Sequence, residues 1–462
     1  MNLENFLATK KTSIREALEL IGKNNHGVIM IQDENDVVIS LATEGDIRRK
    51  LIDGVSLDDP VTICANETFI WADLKTPREM LLKQLDQRIR IIPILDKAKK
   101  LKSIVSRDFF PVLEEEPTYA RARSPVRISF GGGGSDLTDY FAGESGAVIN
   151  TTVSIYSHSL LKKRKDNKII IHSRDLNESL VAPDLKSAIQ GNGKMGLFKS
   201  LLKAIHPDFG FELFVNSDFP PGSGLGGSAV VASAVLGCFN QFRQDKWDHH
   251  EIAELAFQAE RLYLGISGGW QDQYATVFGG FNFMEFKFDQ NVVNPLRIHP
   301  DTLVELEESL ILCDTGITHN SGEILSDQCE NLQQDIMRKR VQSSVELTYK
   351  MRNYLLRGRL LEFGKCIDEG WNIKRQLSSK ISDSHFDRIY DGAIKSGAIG
   401  GKLLGAGGGG FFLFYAPPFQ KYQVMDYLTS QGLNIKNFNF ELEGLRAWTA
   451  REHRTLMETT AK

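Results

Sequence analysis

The feature that most narrows what this chain can fold into is the run from Asn216 to Ala229, which packs Pro220, Pro221, Gly222, Gly224, Gly226 and Gly227 into fourteen residues. Before it, Phe211, Leu213 and Val215 alternate with Glu212, Phe214 and Asn216, the pattern of a half-buried strand. After it, residues 230–239 are small and apolar, as in a buried helix. A strand, a glycine loop and a helix in that order turn unpaired amides and the positive end of a helix dipole toward whatever occupies the loop. A phosphate chain is the natural occupant, and glycines allow its close approach.

Two familiar phosphate-binding patterns have glycines at similar spacing. Gly222, Gly224 and Gly227 have the spacing of a dinucleotide fingerprint, which requires a second strand ending in an acid about twenty residues on. Asp245 stands near that distance, but residues 250–264 read as helix. A Walker loop is excluded, because no Gly-Lys-Ser/Thr closes the motif.

Residues 221–229 resemble instead the Pro-x-x-x-Gly-Leu-x-x-Ser-Ala signature of the GHMP kinases, the family of galactokinase, homoserine kinase and mevalonate kinase. Two further clusters extend the likeness. Arg123 to Asp136, with Pro125, Arg127 and the glycines 131–134, resembles the family's first motif, and Lys402 to Phe412, with Gly405 and Gly407 to Gly410, resembles its third. The run Gly132-Gly133-Gly134-Ser135-Asp136, with Asp272-Gln273-Tyr274 leading into Phe278 to Phe283, is similar to the D-glycero-D-manno-heptose 7-phosphate kinases, which phosphorylate an anomeric hydroxyl. Fucokinase-like sugar kinases share much of it. One departure is His319, where the family leads one to expect an arginine.

The resemblance implies a role for each matched residue. Pro221, Gly222, Ser223, Gly224, Leu225, Gly226, Gly227 and Ser228, with Gly407 and Gly408 of the third motif, would hold ATP. Gly133, Gly134, Ser135 and Asp136 would hold the sugar. Asp272 would be the base, since a sugar hydroxyl is a poor nucleophile that a neighbouring carboxylate can orient and deprotonate. Arg127 would offset charge on Asp272 and on the transferring phosphoryl group. Ala253, Ala256, Phe257 and Leu264 share a helical stripe into which Glu260 falls. A carboxylate facing an apolar interior needs a cation or several donors; by resemblance Glu260 and Ser228 would bind Mg²⁺, and the alternative is a buried ion pair. Lys162 to Lys165 sits between two strand-like runs and reads as a solvated hairpin turn.

The first hundred residues repeat. Val28 to Asp33 followed by Val37 to Thr43 matches Ile91 to Asp96 followed by Leu101 to Ser106 at an offset of 63, each copy preceded by a helical stretch, residues 14–21 and 77–85. This doubled unit resembles a pair of CBS motifs, which typically bind an adenine nucleotide between their copies. Thr43 and Asp46 match the family's Thr-x-x-Asp, where the hydroxyl and carboxylate can reach a ribose; alternatively they merely cap the following helix. In the second copy Ser106 keeps a hydroxyl, but Phe109 replaces the acid and Asp108 stands one position early.

Length and charge agree with this plan. The 462 residues suggest about three domains. Leu113 to Thr118, charged and proline-broken, reads as a linker. The expected division is 1–115 for the CBS (Bateman) pair, 120–302 for a ribosomal-protein-S5-like N-terminal kinase half and 303–462 for a ferredoxin-like C-terminal half, an α+β fold. Fifty-five basic against 59 acidic residues give a net charge of −4, unlike a nucleic-acid binder. No apolar run is long enough for a membrane span, and five scattered cysteines read as free thiols, so a cytoplasmic protein is expected. The expectation is an ATP- and Mg²⁺-dependent sugar kinase that feeds nucleotide-sugar synthesis, with a CBS pair able to pair into a homodimer and regulate it. A catalytically silent sensor of sugar and nucleotide is the rival reading.

Overall fold

The computed structural model describes residues 2–73, 76–85, 89–106, 109, 118–190, 195–318 and 321–451. Asp108, residues 113–117 of the expected linker and His319 lie outside them. The chain forms two compact units, residues 1–116 and 117–462.

The first unit repeats in space as it does in sequence. Strands Val28–Gln32 and Val38–Thr43 pair antiparallel, as do Ile91–Leu95 and Leu101–Ser106, and each pair gains a short parallel strand, Leu7–Thr9 or Ala72–Asp73. The offset of 63 survives in detail. Each hairpin has its bulge at the same place, between Ile31 and Gln32 and between Ile94 and Leu95. Each turn is held by one aspartate: Asp33 accepts from the amides of Asn35 and Val37, and Asp96 from those of Ala98 and Lys100. Phe6, Val28, Met30 and Val38 of one copy share a core with Ile91, Leu95 and Ile104 of the other, so neither copy buries its apolar face alone. Thr43 and Asp46 form a reciprocal capping box at the start of helix Glu44–Ile52, and Arg49 takes the second Asp46 oxygen.

The second unit is built on the long strand Gly146–Lys163. It pairs with Phe281–Phe286 through its first half, with Phe211–Ser217 through its second, and with Thr118–Gly131 along its other edge. Pro125 lacks an amide to give to the ladder, and the register jumps there, as a proline inside a strand requires. Helix Gly227–Gln241 lies against this sheet and is small and apolar nearly all round, because it is buried nearly all round. The basic tip 162–165 is a correction to the hairpin reading: strands Gly146–Lys163 and Ile169–Ser173 are not neighbours, since Phe211–Ser217 lies between them. Local spacing cannot reveal a strand inserted from forty residues downstream.

Beyond helix Pro300–Ser309, a second, antiparallel sheet runs in the order Gly400–Leu403, Phe411–Tyr415, Leu310–Asp314, Asn434–Lys436. Helices Asp335–Leu356 and Leu360–Lys374 flank Gly358, whose φ of +67° suits the turn between them. The chain end does not stay with this half: Arg446–Arg451 returns to pair with Thr118–Gly131 in the first sheet. Among the described residues no helix is long and apolar enough to cross a membrane.

Candidate active site

The strand Phe211–Ser217 delivers the chain into the glycine loop, and Gly222, Gly224 and Gly226 all take positive φ, 77°, 75° and 77°. Gly226 is the N-cap of helix Gly227–Gln241, and no side chain caps that end. The first-turn amides are therefore free for an anion. Pro221, Gly222, Ser223, Gly224, Gly226, Gly227 and Ser228 line a cavity of about 480 Å³. Leu225 does not; it is fully buried in the core. Counted strictly, the signature's proline falls on Pro220, while the cavity is lined by Pro221. The Ser223 hydroxyl is buried with no protein partner. The dinucleotide reading falls here, because helix Gly227–Gln241 is followed by helix His249–Gln258 where that fold needs a strand.

The third glycine cluster meets the glycine loop of residues 216–229 backbone to backbone. A methyl group at Gly405 would collide with Gly224, and one at Gly410 with Ser223. Gly405 and Ala406 line the cavity. Gly407 and Gly408, expected at the nucleotide, stand behind them against Ile381, whose carbonyl accepts from the Gly408 amide at 2.8 Å.

Asp272 begins helix Gln271–Phe278, and Arg127 projects from strand Thr118–Gly131. Arg127 Nε and Nη2 donate to the two Asp272 oxygens at 2.8 and 2.9 Å, a bidentate pair, and Nη1 donates to the Gly224 carbonyl at 2.9 Å. The arginine side chain is 5% exposed. A methyl group at Gly226 would sit 3.2 Å from Asp272 Oδ2, so the carboxylate lies directly against the loop at the helix start.

Asp136 lies against Gly269 and lines the same cavity as this pair. It is buried, and it accepts from the amides of Gly134 at 3.1 Å and Gln271 at 3.3 Å. A side chain at Gly269 would run into its carboxylate. Burial, and then the negative charge of Asp272, raise the Asp136 pKa. Gly133, Gly134 and Asp136 line the cavity. Ser135 is buried behind them, its hydroxyl donating to the Gly132 carbonyl at 2.7 Å and accepting from the Ala147 amide at 3.1 Å, so it holds the turn in shape.

Glu260 sits in a π-helical turn, Ala259–Tyr263, that interrupts the helical path after His249–Gln258. Such turns recur at functional sites because they rotate a side chain out of the regular stripe. Glu260 is 4% exposed and accepts from the Gln273 amide at 2.5 Å, and both Glu260 and Ser228 line the cavity.

Sequence reasoning missed three cations. Arg261 lines the cavity and clamps the segment leading to the base, donating to the carbonyls of Ile266, Ser267 and Gly269. Lys374 lines it too, and Lys402 is buried just behind with its ammonium on the Phe130 carbonyl at 3.2 Å. The signal for Lys374 was present: it follows Ile367 by seven and Trp371 by three, on the buried face of its helix.

An uncapped helix start facing a carboxylate paired with arginine, in one cavity, suits phosphoryl transfer to a small molecule. Comparison with known proteins agrees. Family models for the GHMP kinases N terminal domain and GHMP kinases C terminal match residues 195–280 and 351–433. A D-glycero-alpha-D-manno-heptose 7-phosphate kinase from Campylobacter jejuni is 37% identical over 334 residues, covering 71% of this chain and 98% of that protein. An L-fucokinase/L-fucose-1-P guanylyltransferase from Bacteroides fragilis is 30% identical over 68% of this chain, but over 36% of its own length. A crystal structure of a D-glycero-D-manno-heptose 1-phosphate kinase from Bacteroides thetaiotaomicron superposes with a TM-score of 0.60 at 28% identity, covering 71% of this chain and 98% of that one. The chain belongs to the GHMP kinase family. It is an ATP-dependent sugar kinase with the two-domain α+β fold of that family.

Proposed function

We propose that the enzyme transfers the γ-phosphoryl group of ATP to the anomeric hydroxyl of a D-glycero-D-manno-heptose 7-phosphate, a step toward a nucleotide-activated sugar. The single observation that carries the site assignment is the Asp272–Arg127 pair pressed against Gly226 in the cavity that also holds Asp136. In this reading the triphosphate lies along residues 221–228, with Gly405 and Ala406 closing over it. Asp136 accepts hydrogen bonds from the sugar and orients it. Asp272 takes the proton of the attacking hydroxyl as the new oxygen–phosphorus bond forms and the bond to ADP breaks. Arg127 holds both Asp272 oxygens, so the carboxylate has one orientation, and its charge offsets that of the phosphoryl group in flight. The substrate choice is supported by the name of the Campylobacter relative, and the fucokinase relative supplies the competing sugar class.

Ser228 and Glu260 fit a magnesium ion. Magnesium is held by one or two protein oxygens together with substrate phosphates, and Glu260 is a buried carboxylate whose partner is a neutral amide. Bound there, the ion would neutralise phosphate charge. Residues 1–115 would form a CBS pair that precedes, in sequence, kinase halves at 120–302 and 303–462. Thr43 and Asp46 would release their mutual capping bonds to a ribose of an adenine nucleotide, and two copies would associate through this unit.

The test is ADP release with a panel of phosphorylated and free sugars in the presence of ATP and Mg²⁺. The heptose 7-phosphate is expected to give the highest kcat/KM. Preference for free fucose or galactose would replace the substrate assignment, and absence of ADP release with every sugar tried would favour a silent sensor.

A further inference from the structure

The cavity is lined by four acids, Asp136, Asp175, Glu260 and Asp272, and three cations, Arg127, Arg261 and Lys374, but the cations are not all paired with those acids. Arg127 is paired with Asp272, yet Lys374 and Lys402 have no carboxylate partner among the described residues; the groups that act on Lys374 are Lys402 and Arg127, all cations. Desolvation, and then these like charges, push the Lys374 pKa well below the ordinary lysine range, and burial, with the charge of Arg127, brings Lys402 down to about 7. An uncompensated ammonium at this depth is costly unless an anion arrives.

The two lysines differ in what they face. Lys402 donates to Phe130 outside the cavity, while Lys374 lines it. Lys374 Nζ donates to the carbonyls of Leu403 at 2.9 Å and Gly405 at 2.6 Å, which uses two of the three ammonium donors and leaves the third. Those carbonyls flank the point where the third glycine loop presses on Gly224, and Gly224 is in turn held by Arg127. Lys374 and Arg127 therefore brace opposite sides of the same loop contact.

We infer that Lys374 is a catalytic residue of the phosphoryl transfer, donating its remaining ammonium proton as a hydrogen bond to a γ-phosphoryl oxygen of ATP. The bond between γ-phosphorus and the ADP oxygen breaks, the bond to the sugar oxygen forms, the hydroxyl proton goes to Asp272, and Lys374 keeps its own proton throughout. The diphosphate, which lacks the γ group, gains nothing from Lys374. This rests on the placement of the nucleotide along residues 221–228.

The test is the binding of ADP and of the non-hydrolysable triphosphate AMP-PNP, each with Mg²⁺, by calorimetry to the wild-type enzyme and to Lys374→Met and Lys374→Arg, together with kcat. In Lys374→Met the affinity for AMP-PNP is expected to fall about tenfold, the loss of one charge-assisted hydrogen bond, with ADP affinity unchanged. Its kcat is expected to fall about a hundredfold, and Lys374→Arg, which retains a cation, to recover part of both losses. Equal weakening of ADP and AMP-PNP would make Lys374 a brace for the Gly405 loop and overturn the inference, as would an unchanged AMP-PNP affinity. If Lys374→Met does not fold, Lys374→Arg decides alone: it supports the inference if ADP binding is kept while kcat drops, and overturns it if both constants match wild type. Should the wild-type enzyme bind neither nucleotide, the nucleotide placement falls as well; normal binding with an unaltered preference removes Lys374 alone.

Discussion

Asp272 has two neighbours that tie its chemistry to its structure. Asp272→Asn keeps the shape but cannot take a proton, and it sets an amide NH2 against one of the two Arg127 donors and leaves that buried guanidinium without its counter-charge. Its kcat is expected to fall about a thousandfold and the melting temperature to drop as well, read by steady-state kinetics and a thermal melt. Asp136 makes the opposite trade. Its carboxylate pKa is raised in the folded protein by burial and by Asp272. Between its unfolded value of 3.8 and that raised value the native state binds more protons than the unfolded one, so stability falls as pH rises through the window. Asp136→Asn removes that dependence. The variant is expected to melt higher than wild type at pH 7, to lose the difference by pH 3.5, and to lose sugar affinity at every pH; a wild-type melting temperature at pH 7 would contradict the assignment. Asp272, Arg127 and Asp136 were legible in the sequence because glycine motifs mark them. Lys374 left only its spacing from Ile367 and Trp371, a mark that a lysine ending any amphipathic helix can carry without facing a site.

At the level of elements, the site is an agreement among chain segments that come closer than side chains permit. Gly226, at φ 77° and with Asp272 Oδ2 3.2 Å from where its Cβ would be, is the tightest test of the nucleotide loop. Gly226→Ala would strain the backbone by about 1–2 kcal/mol and push against the base. It is expected to raise the ATP KM and lower kcat together, a pattern that Asp272→Asn, which should lower kcat without raising the ATP KM, does not share. The strand, loop and helix around residues 211–241 were readable because their signals are local: alternation, glycines, then a run of small apolar residues. The strand order was not. Phe211–Ser217 enters between Gly146–Lys163 and Ile169–Ser173 through contacts distant in sequence, and the π-turn at Ala259–Tyr263 leaves no mark in a stripe that a regular helix would also satisfy. Gly407 and Gly408 share a motif with Gly405, yet Gly407 makes room for Ile381 and the Gly408 amide donates to its carbonyl; motif membership does not say which glycine of a run meets the ligand and which makes room for a neighbouring backbone.

For the whole molecule, the division at residue 116 sets what can be removed. Every residue lining the cavity belongs to 117–462, and the 1–116 unit has cores of its own in which the two repeated halves share one cluster. Residues 117–462 alone are therefore expected to fold and to keep kcat within about threefold of the full chain, since no catalytic contact is lost. The cut cannot be moved inward. Strand Thr118–Gly131 carries Arg127 and is paired on one side with Gly146–Lys163 and on the other with Arg446–Arg451, so a chain starting at residue 132 would lose the arginine and leave two strand edges open; it is expected to aggregate. The same pair of chains tests the role proposed for the repeat. If adenine nucleotides act through Thr43 and Asp46, AMP at fixed ATP should change the rate of the full-length enzyme and leave residues 117–462 indifferent, with Asp46→Ala behaving like the shortened chain. Equal response in all three would place any nucleotide effect in the kinase cavity itself and reduce Thr43 and Asp46 to the helix cap that their mutual hydrogen bonds already form.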